Sequence, residues 1–335
     1  MILNPGILAL LLGTTISLLM LLYAARLGVK ILAGWDNDSS SAAQLELERK
    51  SWLVSTLVNY ALGFEIASSI LFVYTLDDIH QLFVGAMCAT GALNANQIGW
   101  PALLVKIVLF FAAALWVIFN RLDQRCEDTP LVRSKYVALL LLTPLFGLDL
   151  FLQYSYFSGL RPEIITSCCA SLFSLGNDSV ASELASLPAA PTMLAFFLVA
   201  AYQLLFLLLC LQNRGALFRQ LLFVGSLAMF FIGLVAVISF ISPYIYQLPS
   251  HHCPFDMLQK NYNFIGYPLY LGLFISTLFG LLPGLCQPLR KWPTLNNVIQ
   301  QRERYWLSIS LCGLLLFLLI ASWPILFSPF ILFGY

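Results

Sequence analysis

Eight apolar stretches recur along the chain, at 7–32, 52–75, 101–120, 136–158, 191–211, 221–245, 264–285 and 305–327. A hydrocarbon core of about 30 Å needs about 20 consecutive apolar residues per helix, and within it each backbone N–H and C=O must find a partner inside the protein. Soluble chains carry about a quarter charged residues. Here 10% of 335 residues are charged and 60% are hydrophobic, which leaves nothing for a separate soluble core. The expected fold is all-α: a polytopic integral membrane helix bundle of about eight transmembrane helices, forming a single transmembrane domain over residues 1–335 in a lipid bilayer. The first stretch has no basic segment before it and runs past signal-peptide length, so it is expected to be a retained span. Pro324 and Pro329 interrupt the tail of the last.

Orientation follows from the cations, because Lys and Arg in short loops are held on the cytoplasmic side during insertion. The odd-numbered loops hold Arg26, Lys30, Arg49, Lys50, Arg121, Arg125, Arg133, Lys135, Arg214, Arg219, Arg290, Lys291, Arg302 and Arg304. The even-numbered loops hold only Arg161 and Lys260, and Lys106 lies inside a span. Both termini are therefore expected to be non-cytoplasmic, with the even loops facing the exterior or periplasm. A compact chain of this kind suits the bacterial inner (cytoplasmic) membrane. A net charge of +1 without any basic block gives no reason to expect nucleic acid as a partner. No Gly-rich phosphate loop, H-E-x-x-H or G-x-S-x-G occurs, so the common ATPase and hydrolase classes drop out.

The chemistry-bearing residues gather in the even loops. Cys88 stands in the second, Cys168 and Cys169 are adjacent in the fourth, and His251, His252 and Cys253 are contiguous in the sixth. His80 completes the chain's three histidines. Imidazole beside thiolate is a ligand mix that suits copper and zinc, and neighbouring Asp256 is placed to orient an imidazole from behind. The first reading is accordingly an extracytoplasmic site at Cys88, Cys168, Cys169, His251, His252, Cys253 and His80 that binds or hands over a copper-like or zinc ion. The second is a membrane thiol-disulfide oxidoreductase that passes electrons to a quinone, although no C-x-x-C or C-x-C pair is present. Either one implies a soluble extracytoplasmic partner that carries metal or thiols. The third is an assembly subunit whose loops are stapled by disulfides, since four external cysteines are an even number. A bis-histidine haem between His80 and His251 or His252 ranks below these.

A second constellation lies inside the membrane. Glu65, Lys106 and Asp149 interrupt three otherwise apolar stretches, where an unpaired charge is costly. At about 1.5 Å of rise per residue they fall within about 7 Å of the midplane on the same side, with Gln153 one turn above Asp149. They are expected to meet, either as an ion cluster that fixes packing or as a charge relay for protons. Asn59, Gly63, Ser68 and Ser69 make the second span read as central, and the Leu- and Phe-rich fifth and last spans as peripheral. Matching His and Cys positions after the second and sixth spans hint at a four-plus-four arrangement, without residue-by-residue similarity between the halves.

Overall fold

The computed structural model describes residues 2–36, 41–161, 187–212 and 215–332. Among these every regular element is helical, and eight helices are long and apolar enough to cross a membrane. The chain divides into two compact units. Unit 1 comprises residues 1–79, 93–164 and 292–298, and unit 2 comprises 80–92, 165–291 and 299–335. Cys168 and Cys169 lie outside the described residues.

Unit 1 is built from α1 (Pro5–Gly34), α2 (Ala42–Ile79), α3 (Gly99–Asp123) and α4 (Val132–Ser158). The Asn4 side chain accepts from the Gly6 N–H at 2.9 Å and Pro5 fills the first helical position, so α1 starts with one orphan donor satisfied and another absent. Helix α2 has 38 residues, about 57 Å at 1.5 Å per residue, and its first turns carry the charged stretch around Glu46 to Lys50. The turn between α3 and α4 is locked by Asp123. One of its oxygens accepts from the Leu131 N–H at 2.7 Å and the other from Lys135 Nζ at 2.7 Å. Lys135, a loop cation by sequence, is thus buried in an ion pair at a helix end. Between the ends lies an apolar core that includes Leu21, Val58, Leu62, Leu109, Trp116, Tyr136 and Phe146.

Unit 2 contains α5 (Ala189–Leu211), α6 (Ala216–Ala236), α7 (Gly266–Leu285) and, from Ile299 onward, α8 (Pro293–Phe327). Thr192, Phe196, Ala200, Gln203, Leu207 and Cys210 of α5 recur every three or four residues, and this single stripe is what α5 buries. α5 is the least enclosed helix and α7 the most, with 28% and 67% of their apolar windows buried. α2, at 33%, is no more enclosed than its neighbours; Ser68 and Ser69 lie against Lys106, and Asn59 accepts from Asn120 Nδ2 at 3.4 Å. Arg219 and Arg290 both reach Glu303, at 2.5 and 2.9 Å, joining α6, α8 and the turn after α7.

Helix α6 continues through a π-helical turn, Val237–Ile241, into a last helical piece, Ser242–Tyr246. Proline explains the widening. Pro243 has no N–H to offer, and the Ser242 N–H reaches back to the Val237 carbonyl. The Ile238 carbonyl is thereby deprived of a helical donor, and the ring of His252 takes its place, with Nδ1 2.9 Å from that oxygen.

Candidate functional site

Two segments far apart in sequence meet at one end of unit 2. The first is 80–92, where a 3-10 turn (His80–Leu82) leads through Gly85, at φ 86°, to Cys88. The Gly91 N–H donates to the Cys88 carbonyl at 2.9 Å, so Cys88 opens a helical turn that fixes its backbone. The second is the connection from α6 to α7. Gln247, at φ 56° and ψ 33°, ends α6 in the left-handed conformation that commonly terminates helices. Tyr246 then closes the loop: its hydroxyl donates to the Cys253 carbonyl at 2.7 Å and accepts from the Met257 N–H at 2.9 Å. Tyr270 of α7 donates to the Pro254 carbonyl at 2.7 Å, and Gln259 Nε2 ties the loop to the Met87 carbonyl at 2.7 Å.

These constraints bring the Cys88 and Cys253 sulfurs within 3.2 Å of each other, both with no exposed surface. Cys253 Sγ also lies 3.4 Å from the Thr90 hydroxyl and accepts from the Phe255 N–H at 3.4 Å. Pro254 has no N–H, so Phe255 supplies the first amide that can fold back onto the sulfur. Hydrogen bonds received by sulfur favour the thiolate, the form that binds metal. Asp256 Oδ1 is 3.4 Å from Cys253 Sγ, and its other oxygen is 2.5 Å from His251 Nε2. Burial opposes ionisation of Asp256, but hydrogen bonds from His251, Cys88 and Cys253, together with the charge of His251, outweigh it and hold its carboxyl below the ordinary range. The ring of His251 stands edge-on to Tyr246, with centroids 4.7 Å apart.

Among the described residues, the metal-capable group is Cys88, Cys253 and Asp256, whose ligand atoms all lie within 4.8 Å of one another. His251 touches it through Asp256, in the position of a residue that orients a ligand. His252 is turned to the Ile238 carbonyl, and His80 begins the 3-10 turn; neither is in the group. The sequence reading gave Asp256 only a supporting role. The overlooked signal is the spacing Cys253-Pro254-Phe255-Asp256, in which a carboxylate takes the second position of a C-x-x-C-like pair. Nearby, a cavity of about 580 Å³ is lined by Tyr244, Tyr262, Trp323 and Phe327 among others, and neither cysteine is part of its wall.

Unit 1 assembles the intramembrane charges. Lys106 Nζ lies 2.7 Å from Glu65 Oε1, 2.9 Å from Asp149 Oδ2 and 2.9 Å from the Ser68 hydroxyl. Gln153 Nε2 donates to Asp149 Oδ2 at 2.6 Å and to the Thr14 hydroxyl at 3.3 Å. None of the three charged side chains is more than 1% exposed.

Fold and sites together define a multi-pass helical membrane protein with a buried dithiol–carboxylate cluster in one unit and a buried ion triad in the other. Comparison with protein-family models, curated proteins and solved structures returned no match.

Proposed function

We propose that unit 2 is a metal-binding module that holds one zinc-like ion through Cys88, Cys253 and Asp256, with His251 fixing the carboxylate. The convergence of two buried sulfurs and a carboxylate oxygen within 4.8 Å carries this reading. Two thiolates and a carboxylate are a donor set of mixed softness. The oxygen donor favours zinc over a cuprous ion, which prefers sulfur throughout. The charges also suit a divalent ion, since three anionic ligands offset a dication to within one charge. Three protein ligands leave a fourth tetrahedral position for water or an external donor. The complete burial of both sulfurs supports a resident ion rather than one in transit, and it weighs against thiol exchange with a soluble partner. The cation count along the loops supports an extracytoplasmic position for this end of unit 2, the periplasm in a bacterium.

A second reading is a Cys88–Cys253 disulfide, favoured by the 3.2 Å between the sulfurs. The two separate in one experiment, in which anaerobically purified protein is assayed for metal and for free thiols, alongside Cys88→Ser, Cys253→Ser and Asp256→Asn. One zinc per chain, lost in each variant, is the expected result. Metal-free protein with both thiols reactive after denaturation sinks the zinc reading, and metal-free protein with two thiols missing replaces it with the disulfide.

A further inference from the structure

We propose that unit 1 contains a binding site for a single proton, shared between Glu65 and Asp149 on either side of Lys106. Charge is counted first. The triad holds two carboxyls and one ammonium, so with both carboxyls ionised it is a net anion inside the membrane. Among the described residues, the stretches of α1 to α4 around the triad bring no further charge. α1 meets the site through Thr14, which accepts from Gln153 Nε2, and has no charged side chain before Arg26. Glu65 is the only charged residue of α2 between Lys50 and Asp77, Lys106 the only one of α3 before Arg121, and Asp149 the only one of α4 after Lys135. Of the tyrosines on these stretches, Tyr23, Tyr60, Tyr74 and Tyr154 are exposed, Tyr136 donates its hydroxyl to Ser51 at 2.9 Å, and Tyr156 belongs to an aromatic cluster with Phe72 and Phe157. A net charge in hydrocarbon is strongly disfavoured, and one bound proton removes it.

The oxygen atoms give a second, independent indication. Glu65 Oε2, Asp149 Oδ1 and Gln153 Oε1 are all buried and receive no hydrogen bond. Buried acceptors are normally satisfied, and three orphans on contacting side chains lack a donor. Protonation turns one carboxylate oxygen into that donor, with the hydrogen taken from water and no electron transferred. A sodium ion is the competing cation, but the place between the carboxylates where it would sit is already filled by the Lys106 ammonium.

Enclosure fits the same ligand. Phe157 stands edge-on to both Phe72 and Tyr156 on one side of the layer, and Val58, Leu62 and Leu109 are buried on the other. Polar residues resume beyond both: along α2, Thr75 stands ten positions from Glu65, about 15 Å at the helical rise, and Asn59, which accepts from Asn120 Nδ2, stands six positions away, about 9 Å. The site is thus separated from polar groups toward each end by an apolar layer, which makes unit 1 a proton-binding element as well as an anchor.

Infrared spectroscopy of the purified full chain in H2O and D2O reads the proton directly, through the carbonyl stretch of a protonated carboxyl. Wild type should show one such group per chain at neutral pH. Glu65→Gln and Asp149→Asn should each abolish it, because the remaining carboxylate is matched by Lys106. Lys106→Met should double the band, an increase that mere unfolding would not produce. A wild-type spectrum without the band overturns the proposal, and melting that rises with sodium in that case assigns the site to the metal cation. A band that survives both neutral variants, or fails to grow in folded Lys106→Met, overturns it as well.

Discussion

The sulfurs of Cys88 and Cys253 meet at 3.2 Å although 165 positions separate them in the chain. Covalent bonding needs about 2.05 Å, so a small approach closes the gap. Metal-free protein treated with a mild oxidant should acquire one Cys88–Cys253 crosslink, identified by peptide mapping. Prior loading with zinc should suppress it, because coordinated thiolates are no longer free to couple. Equal crosslinking with and without zinc would count against a shared site.

His251 acts on the proposed ion only through Asp256, from which its Nε2 is 2.5 Å away. Loss of a partner that orients a ligand typically weakens metal affinity about 10- to 100-fold. His251→Ala should therefore retain the metal at saturating concentration but lose it to a competing chelator at lower chelator concentration than wild type. His252→Ala should leave competition unchanged, since its ring is engaged by the Ile238 carbonyl.

Lys106 is wholly buried between two acidic groups. Breaking a buried pair by removing one partner costs about 3–5 kcal/mol, whereas replacing the whole set with neutral groups is far milder. Lys106→Ala should lower the melting temperature in detergent sharply, because it leaves two buried carboxyls without their cation, and the triple variant Glu65→Gln, Lys106→Met, Asp149→Asn should recover most of the loss. A triple variant as unstable as the alanine variant would show that packing, not charge pairing, is at stake.

Cys126, in the turn after α3, is pushed up to about 11 by burial and by the charges of Asp128 and Asp123. Its thiol stays neutral in the folded chain while an unfolded thiol ionises from about pH 9, so folding is unaffected at neutral pH and loses stability as pH rises from 9 toward 11. Alkylation of Cys126 at pH 8 should be much slower in the folded chain than after denaturation, and Asp128→Asn should speed the folded-state reaction. Mass spectrometry of a timed maleimide reaction follows Cys126 by its own peptide.

Gly272 and Gly313 let α7 and α8 touch backbone to backbone. A Cβ on Gly272 would come within 2.9 Å of the Gly313 carbonyl oxygen, and one on Gly313 within 2.9 Å of the Gly272 oxygen. Small residues at such crossings allow the close approach on which helix packing in lipid depends. Gly272→Ala and Gly313→Ala should each lower thermal stability, and the double variant by less than their sum, because the first already pries the helices apart. Full additivity would show that the two positions act separately.

The eight helices among the described residues that are long and apolar enough to cross a membrane were legible in the sequence because lipid enforces a simple rule: an apolar run of sufficient length must satisfy its own backbone. The same rule singled out Glu65, Lys106 and Asp149, since a charge within such a run needs a partner and few are available. What the sequence could not rank were the three loop histidines against Asp256. Composition favoured imidazole, but the π turn ahead of Pro243 gives His252 a carbonyl to satisfy, and Tyr246 folds the loop so that Asp256 reaches the sulfur. Whether a side chain becomes a ligand depends on which backbone groups nearby are left without partners and on where one hydroxyl clamps a loop. Those are properties of the folded chain, decided by contacts between residues that no local spacing relates.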